Sequence, residues 1–246
     1  MNPNRATACS GPILRKVDEV RAVRWWLGLA LMMAGGAFCS LHLGRSFGAS
    51  ESYSALAASQ PNYAAVVRIA LRFDPGKPPL YQLILHTVAI TFGDSEPALR
   101  APSVIFAVIS VGLILSLGTE MFGPSLGVVA AIFWVLNPLA IIYGAWARMY
   151  ALLIALSLGQ FLLLWRLRTR PTAGRVPAGG LLGAMMLYTH LGAALLLGAE
   201  AVMLIRETWR GERNRAGWVV MAVALALFIP FLKTASSQVT QLIFGH

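Results

Sequence analysis

Apolar runs alternate with short basic clusters along most of the chain. Trp25–Leu43, Leu99–Leu117, Leu126–Tyr143, Tyr150–Trp165, Ala178–Ile205 and Gly217–Leu232 are apolar, and arginine-rich stretches separate several of them. A membrane-crossing helix needs about 20 apolar residues, and lysine and arginine collect on the cytoplasmic side. Arg15, Lys16, Arg21 and Arg24 precede the first run, which places the N-terminus inside and the segment from Gly44 onward outside. In that outer segment Ala55–Leu71 carries apolar residues at helical spacing, interrupted by Arg68 and Arg72, and predicts one helix lying on the membrane surface. Leu80–Phe92 is also apolar. It provides only about 20 Å of helix against about 30 Å of hydrocarbon, so it is read as a half-inserted helix.

The later runs then thread consistently. Leu99–Leu117 runs inward, Leu126–Tyr143 outward, and Tyr150–Trp165 inward to Arg166, Arg168, Arg170 and Arg175. The run 178–205 is too long for one untilted span and is interrupted by Tyr188-Thr-His-Leu-Gly192, where it splits into two short spans meeting outside. A single tilted span is the rival reading. The split returns Arg206, Arg210, Arg213 and Arg215 to the cytoplasm, and Gly217–Leu232 leads out again. Seven spans result, with the three strong basic clusters on one side.

Composition supports that class. Of 246 residues 57% are hydrophobic and 12% charged, and the mean hydropathy is +0.68. That exceeds what a water-soluble domain hides in its core. The expected fold is all-α, a polytopic membrane protein with juxtamembrane helices in its first outer loop. The formal charge of +10 follows the loops as an orientation signal, so no nucleic-acid partner is implied. Cys9 and Cys39 give no disulfide framework. With no internal repeat or flexible linker, the chain reads as a cytoplasmic basic tail (1–24), one transmembrane module (25–232) with an outer loop (44–97), and an outer C-terminal tail (233–246).

This threading gathers Ser50, Glu51, Tyr53, Asp74, Lys77, Arg100, Arg148, Tyr150, Tyr188 and His190 on one outer rim. Ionisable residues at membrane depth are costly unless they reach the interface or face a polar cavity, so such a rim is a candidate site. Arg68 and Arg100 read as snorkelling interface anchors. Tyr53 and Tyr143 also suit an aromatic belt. Lys77 is the strongest candidate, because Pro78 and Pro79 fix the backbone at the mouth of a helix. Arg148 reads equally as anchor or ligand, and His190 equally as a satisfied interior histidine or a metal or phosphate ligand. Such a rim suits sugar transfer from a polyprenyl-phosphate carrier: cations stabilise the leaving phosphate, and a carboxylate takes the acceptor's proton. That chemistry needs no nucleotide or redox cofactor, and no phosphate-cradling glycine loop is present. Glu51 with His190 is a candidate pair of ligands for a divalent cation, Mg²⁺ or Mn²⁺ favouring oxygen and Zn²⁺ the imidazole. Lys77 and Arg148 can also offset phosphate charge unaided, which leaves metal dependence open.

At these residues the chain resembles bacterial members of the GT-C glycosyltransferase superfamily, such as protein O-mannosyltransferases and aminoarabinose transferases. Four segments carry the likeness: Ser50-Glu-Ser-Tyr-Ser54, Lys77-Pro-Pro-Leu-Tyr81, Phe92-Gly-Asp-Ser-Glu-Pro-Ala-Leu-Arg-Ala-Pro102, and Tyr143–Tyr150 with the later Tyr188-Thr-His190. The resemblance implies a seven-span module with a catalytic first outer loop in a bacterial inner membrane, a polyprenyl-phosphate-linked sugar as donor, and an acceptor the sequence does not specify. Glu51 is thus the expected base or metal ligand, with Ser50 and Asp74 as further catalytic candidates, and Lys77 and Arg148 are expected to hold the donor phosphate with Tyr150, Tyr81, Tyr53 and His190 around it. Two departures stand out. Ser50 occupies the family's usual catalytic aspartate position, leaving Glu51 as the nearest carboxylate, and Trp146 replaces a second acidic residue. Family members also commonly have about twice this length, so a truncated, split or degenerate transferase is among the expectations. A catalytically silent carrier-binding subunit that acts with a partner is the alternative, and a transporter is a third reading without the paired broken helices it would need.

Overall fold

A computed structural model describes residues 11–41, 43–74, 77–170, 172–212, 214–232, 234 and 236, with side chains from residue 25 onward. Residues 1–10, with Cys9, and most of the expected outer tail 233–246 lie outside the described residues. Helices account for nearly all the structure, and no strand occurs among the described residues. In chain order they are α1 (Gly11–Ser40), α2 (Ala49–Ala58), α3 (Tyr63–Phe73), α4 (Leu80–Phe92), α5 (Glu96–Phe122) and α6 (Pro124–Val135). There follow α7 (Pro138–Ala145), α8 (Tyr150–Thr169), α9 (Arg175–Thr189), α10 (Ala193–Trp209) and α11 (Arg215–Phe228), which runs into a single 3₁₀ turn at Ile229–Phe231.

All seven segments expected to cross are helical. By length and apolarity, α5 and α8 qualify as spans individually, and α6 with α7 makes a third if the bent pair is taken as one. Trp25–Ser40, Leu80–Phe92 and Arg215–Phe231 are shorter apolar helices. The outward surface is apolar: Phe133 is 73% exposed and Leu195 81%. In water such a surface would be an aggregation liability, whereas against lipid it is the expected exterior.

Two expected elements differ from those observed. The single surface helix over 55–71 is two helices, because Pro61 and Asn62 interrupt it and the Asn62 side chain accepts a hydrogen bond from the Ala65 N–H, capping α3. The outward run 126–143 is likewise broken, and α6 and α7 meet at 62°. Pro138 removes a backbone donor there, and Asn137 caps the new start by accepting from Leu139 and Ala140. The break expected in 178–205 is present, with α9 ending at Thr189 and α10 starting at Ala193.

The main core lies where α4, α5, α8 and α9 converge, around Tyr81, Leu85, Leu99, Leu152 and Met186. Behind it α9 packs backbone-close on α11. A Cβ at Gly183 would stand 2.8 Å from that of Ala224, and one at Gly180 would overlap Val223. Small residues permit that approach between apolar helices.

Candidate functional site

The site is organised around a buried carboxylate. Glu51 occupies the first turn of α2, and its Oε2 accepts the Gly48 N–H at 3.0 Å, closing the helix start. Both carboxylate oxygens face Arg100 on α5: Nε to Oε1 and Nη2 to Oε2, each 2.9 Å. The Ala147 N–H, in the turn between α7 and α8, donates to Oε1 at 2.9 Å. Arg100 also donates to the Leu43 carbonyl at 2.8 Å, the Ser46 carbonyl at 3.2 Å and the Arg45 carbonyl, with Phe47 beneath its guanidinium. Arg100 is therefore not the snorkelling anchor expected. It is 2% exposed, and its charge is answered by Glu51 and by carbonyls of the segment before α2. Burial works to raise the Glu51 pKa, but hydrogen bonds from Arg100, Ala147 and Gly48, with the Arg100 charge, outweigh it and hold the carboxyl below its ordinary value.

By pinning Ala147, Glu51 sets the position of the next residue. The Arg148 side chain is buried and donates from Nη1 to the Ser50 carbonyl at 2.9 Å and the Ser54 hydroxyl at 3.3 Å. The same nitrogen lies 2.7 Å from Asp74 Oδ2. That contact is an ion pair without the alignment of a directed hydrogen bond, since Asp74 Oδ2 and Arg148 Nε are both left without a hydrogen-bond partner among the described residues. The other Asp74 oxygen takes Lys77 Nζ at 2.5 Å. One carboxylate thus gathers two cations, and the cluster keeps one net positive charge.

His190, half-buried at the end of α9, lies within electrostatic reach of Lys77, Asp74 and Arg148. Burial, and after it the Lys77 charge, lowers its pKa; Asp74 opposes and Arg148 adds to the fall. The ring is neutral at pH 7. Its Nδ1 accepts the Gly192 N–H at 2.8 Å, so the ring proton resides on Nε2, which is a donor.

The remaining candidates divide. Ser50 contributes its carbonyl to Arg148, not its hydroxyl. Tyr81 is wholly buried, its hydroxyl 2.7 Å from Ser103 Oγ, and Ser103 in turn donates to the Arg148 carbonyl at 3.3 Å. It supports the turn from below instead of lining the rim. Tyr53 is exposed and stacks on Phe73, and Tyr150 packs on Tyr143. Arg68 is exposed, as an interface anchor would be. Glu51 and His190 do not form part of any group of three His, Cys, Asp or Glu suited to a metal among the described residues. A cleft of about 760 Å³ opens beside Glu51 and Arg100, lined also by Ser46, Ser50 and Trp146. Sequence reasoning missed Ser54, Ser103 and the Glu51–Arg100 pairing, for which the signal was an arginine in the first turns of an otherwise apolar helix.

An all-helical membrane module carrying a cationic cluster at a helix mouth defines the class. The family described as dolichyl-phosphate-mannose-protein mannosyltransferase matches residues 76–233, well over half of the chain. The chain belongs to that family, within the GT-C superfamily of membrane glycosyltransferases. Its fold is similar to that of ArnT from Cupriavidus metallidurans, solved bound to undecaprenyl phosphate, with a TM-score of 0.58 and 16% identity. The alignment covers 92% of this chain and 44% of ArnT, so the chain spans less than half that protein's length. No curated protein matches it in sequence.

Proposed function

We propose that the protein transfers a sugar from a polyprenyl-phosphate donor to an acceptor on the outer face of a bacterial inner membrane, and that Lys77 and Arg148 hold the donor phosphate. The observation that carries this reading is the Lys77–Asp74–Arg148 cluster, two cations sharing one carboxylate at the mouth of α4. A phosphate entering there competes with Asp74 for both cations and leaves its carboxylate available to the acceptor. The acceptor oxygen then bonds to the sugar's anomeric carbon as the carbon–oxygen bond to phosphate breaks. The acceptor's proton passes to Asp74, and Lys77 and Arg148 neutralise the charge gained by the leaving phosphate. His190 supplies a neutral N–H donor to the same group. Glu51 acts through its neighbours, as the residue that positions Ala147 and hence Arg148.

A second reading, a carrier-binding subunit without turnover, is favoured by one feature: Glu51 is fully engaged by Arg100 and two backbone N–H groups. Purified protein mixed with a polyprenyl-phosphate sugar and membrane extract as acceptor source separates the two. Release of free carrier phosphate, reduced about a hundredfold or more in Asp74→Asn while donor binding persists, supports the transferase. Tight donor binding with no release in the parent supports the silent subunit.

A further inference from the structure

On the side of the molecule away from the cationic cluster, α8 and α10 each carry one polar residue in an apolar stretch. Glu200 on α10 is 3% exposed and Gln160 on α8 is wholly buried. Gln160 Nε2 donates to Glu200 Oε2 over a long 3.4 Å. Glu200 Oε1 and Gln160 Oε1 have no partner among the described residues. Both orphan oxygens can accept a hydrogen bond. A buried acceptor without a donor is costly, so the site asks for a donor from outside the chain.

Glu200 lines a cavity of about 140 Å³ whose other walls include Leu117, Phe161, Leu164, Trp165 and Met203. The polar residues at its rim are already satisfied: Arg168 pairs with Glu207 at 3.0 Å and with Glu212 at 3.0 Å, and Asn214 donates to Glu207 at 2.9 Å. Gln160 does not line the cavity, so a donor that enters it meets the free Glu200 oxygen. Met203 is 53% exposed on the apolar exterior, which puts one wall of the cavity against the hydrocarbon. A lone water would answer the acceptor and leave the apolar walls without contacts, whereas a plain hydrocarbon would do the reverse.

We propose that this cavity is a binding site for a hydroxyl-bearing aliphatic chain drawn from the bilayer, its hydroxyl donating to Glu200 and its methylenes lying along Phe161 and Trp165. The cavity is comparable with one of about 150 Å³ that takes up benzene, and on its exposed Met203 side a chain of a few more heavy atoms can reach past the walls. The proposal is independent of the sugar-transfer reading, since no residue of the cationic cluster takes part.

Trp165 offers a direct readout, because bromine in contact with indole quenches its fluorescence. Bromohexanol and bromohexane are titrated into the detergent-solubilised full chain, with Trp165→Phe as the control that isolates this tryptophan. Bromohexanol is expected to quench the Trp165 component at about tenfold lower concentration than bromohexane, the difference a hydrogen bond to a buried carboxylate supplies. Glu200→Leu is expected to abolish that preference while keeping bromohexane quenching. Equal potency of the two probes in the parent overturns the proposal, as does quenching that is unchanged in Trp165→Phe. The parent's alcohol-to-alkane ratio stands without any Glu200 variant, so a Glu200→Leu chain that fails to fold leaves the test intact.

Discussion

Glu51 and Arg100, 49 residues apart in sequence, face each other in a buried two-point pair that fastens α2 to α5 and, through Ala147, to the turn before α8. Removing either partner strands a charge among groups arranged to answer it. Glu51→Gln and Arg100→Leu are each expected to lower stability by about 3–5 kcal/mol, read as a drop in Tm in detergent, with the double variant costing less than the sum. Additive losses would mean that the two groups do not act as a pair.

The same pair sets the acid limit of the protein. The folded pKa of Glu51 lies below its ordinary value, so its contribution is fully present above the unfolded pKa of about 4.3 and is lost as pH falls through the folded value. His190 is also depressed. The unfolded chain binds its proton first, at about pH 6.5, and stability declines from there as pH falls toward the folded pKa. Thermal scans should show a shallow decline below about pH 6.5 that His190→Gln removes, and a steeper one below about pH 4 that persists in that variant. A pH profile unchanged by His190→Gln would contradict the assignment.

Lys77 is expected to act on the donor. Lys77→Ala should weaken binding of a polyprenyl-phosphate sugar by about tenfold to a hundredfold, as loss of a charge-assisted hydrogen bond does. Lys77→Arg should recover part of it, because phosphate accepts either cation while the proline-fixed mouth suits the compact ammonium. Unchanged affinity in Lys77→Ala would make the residue an interface anchor instead of a ligand.

Topology can be checked with single cysteines in a background lacking the native two. Position 94 is exposed just past the end of α4 and position 146 in the turn before α8, and position 169 is exposed at the basic end of α8. Asp94→Cys and Trp146→Cys should react with an impermeant thiol reagent applied from outside intact cells, and Thr169→Cys should not. The reverse pattern would invert the orientation and move the site to the cytoplasmic face.

Chelation separates cation clusters from metal chemistry. Lys77 and Arg148 lie on the site, and Glu51 has both oxygens engaged, so turnover is expected to survive exhaustive chelator treatment. Loss of activity restored by added Mg²⁺, Mn²⁺ or Zn²⁺ would bring back a metal role for Glu51 and His190.

Legibility from sequence differed by element, for physical reasons. Helix α4 begins and ends where the reading put it, because prolines precede it and glycine follows. The break at His190–Gly192 was visible as polar residues inside an apolar run. The splits at Pro61-Asn62 and Asn137-Pro138 had equally local signals, but hydropathy averaged over a whole segment hid them. Lys77 and Arg148 stood out because each sits at a helix mouth, but that Asp74 draws them together follows only from the fold. Arg100 was not, since whether an arginine reaches for the interface or for a carboxylate depends on which distant segment folds against it. Glu200 and Gln160 escaped notice for a similar reason: each is a lone polar residue, and only the setting of α8 and α10 against a shared neighbour, α9, brings them together.

The seam of Gly180 and Gly183 against α11 has a mechanical consequence. Two helices meshed that closely cannot slide or turn separately, so His190, mounted at the end of α9, behaves as a fixed post. Lys77, by contrast, carries its ammonium on a four-carbon stem of rotatable bonds, so the side chain can turn while the proline-flanked backbone stays in place. When a ligand enters between them, accommodation falls to the Lys77 side of the cluster, and the geometry of arrival is measured from the histidine.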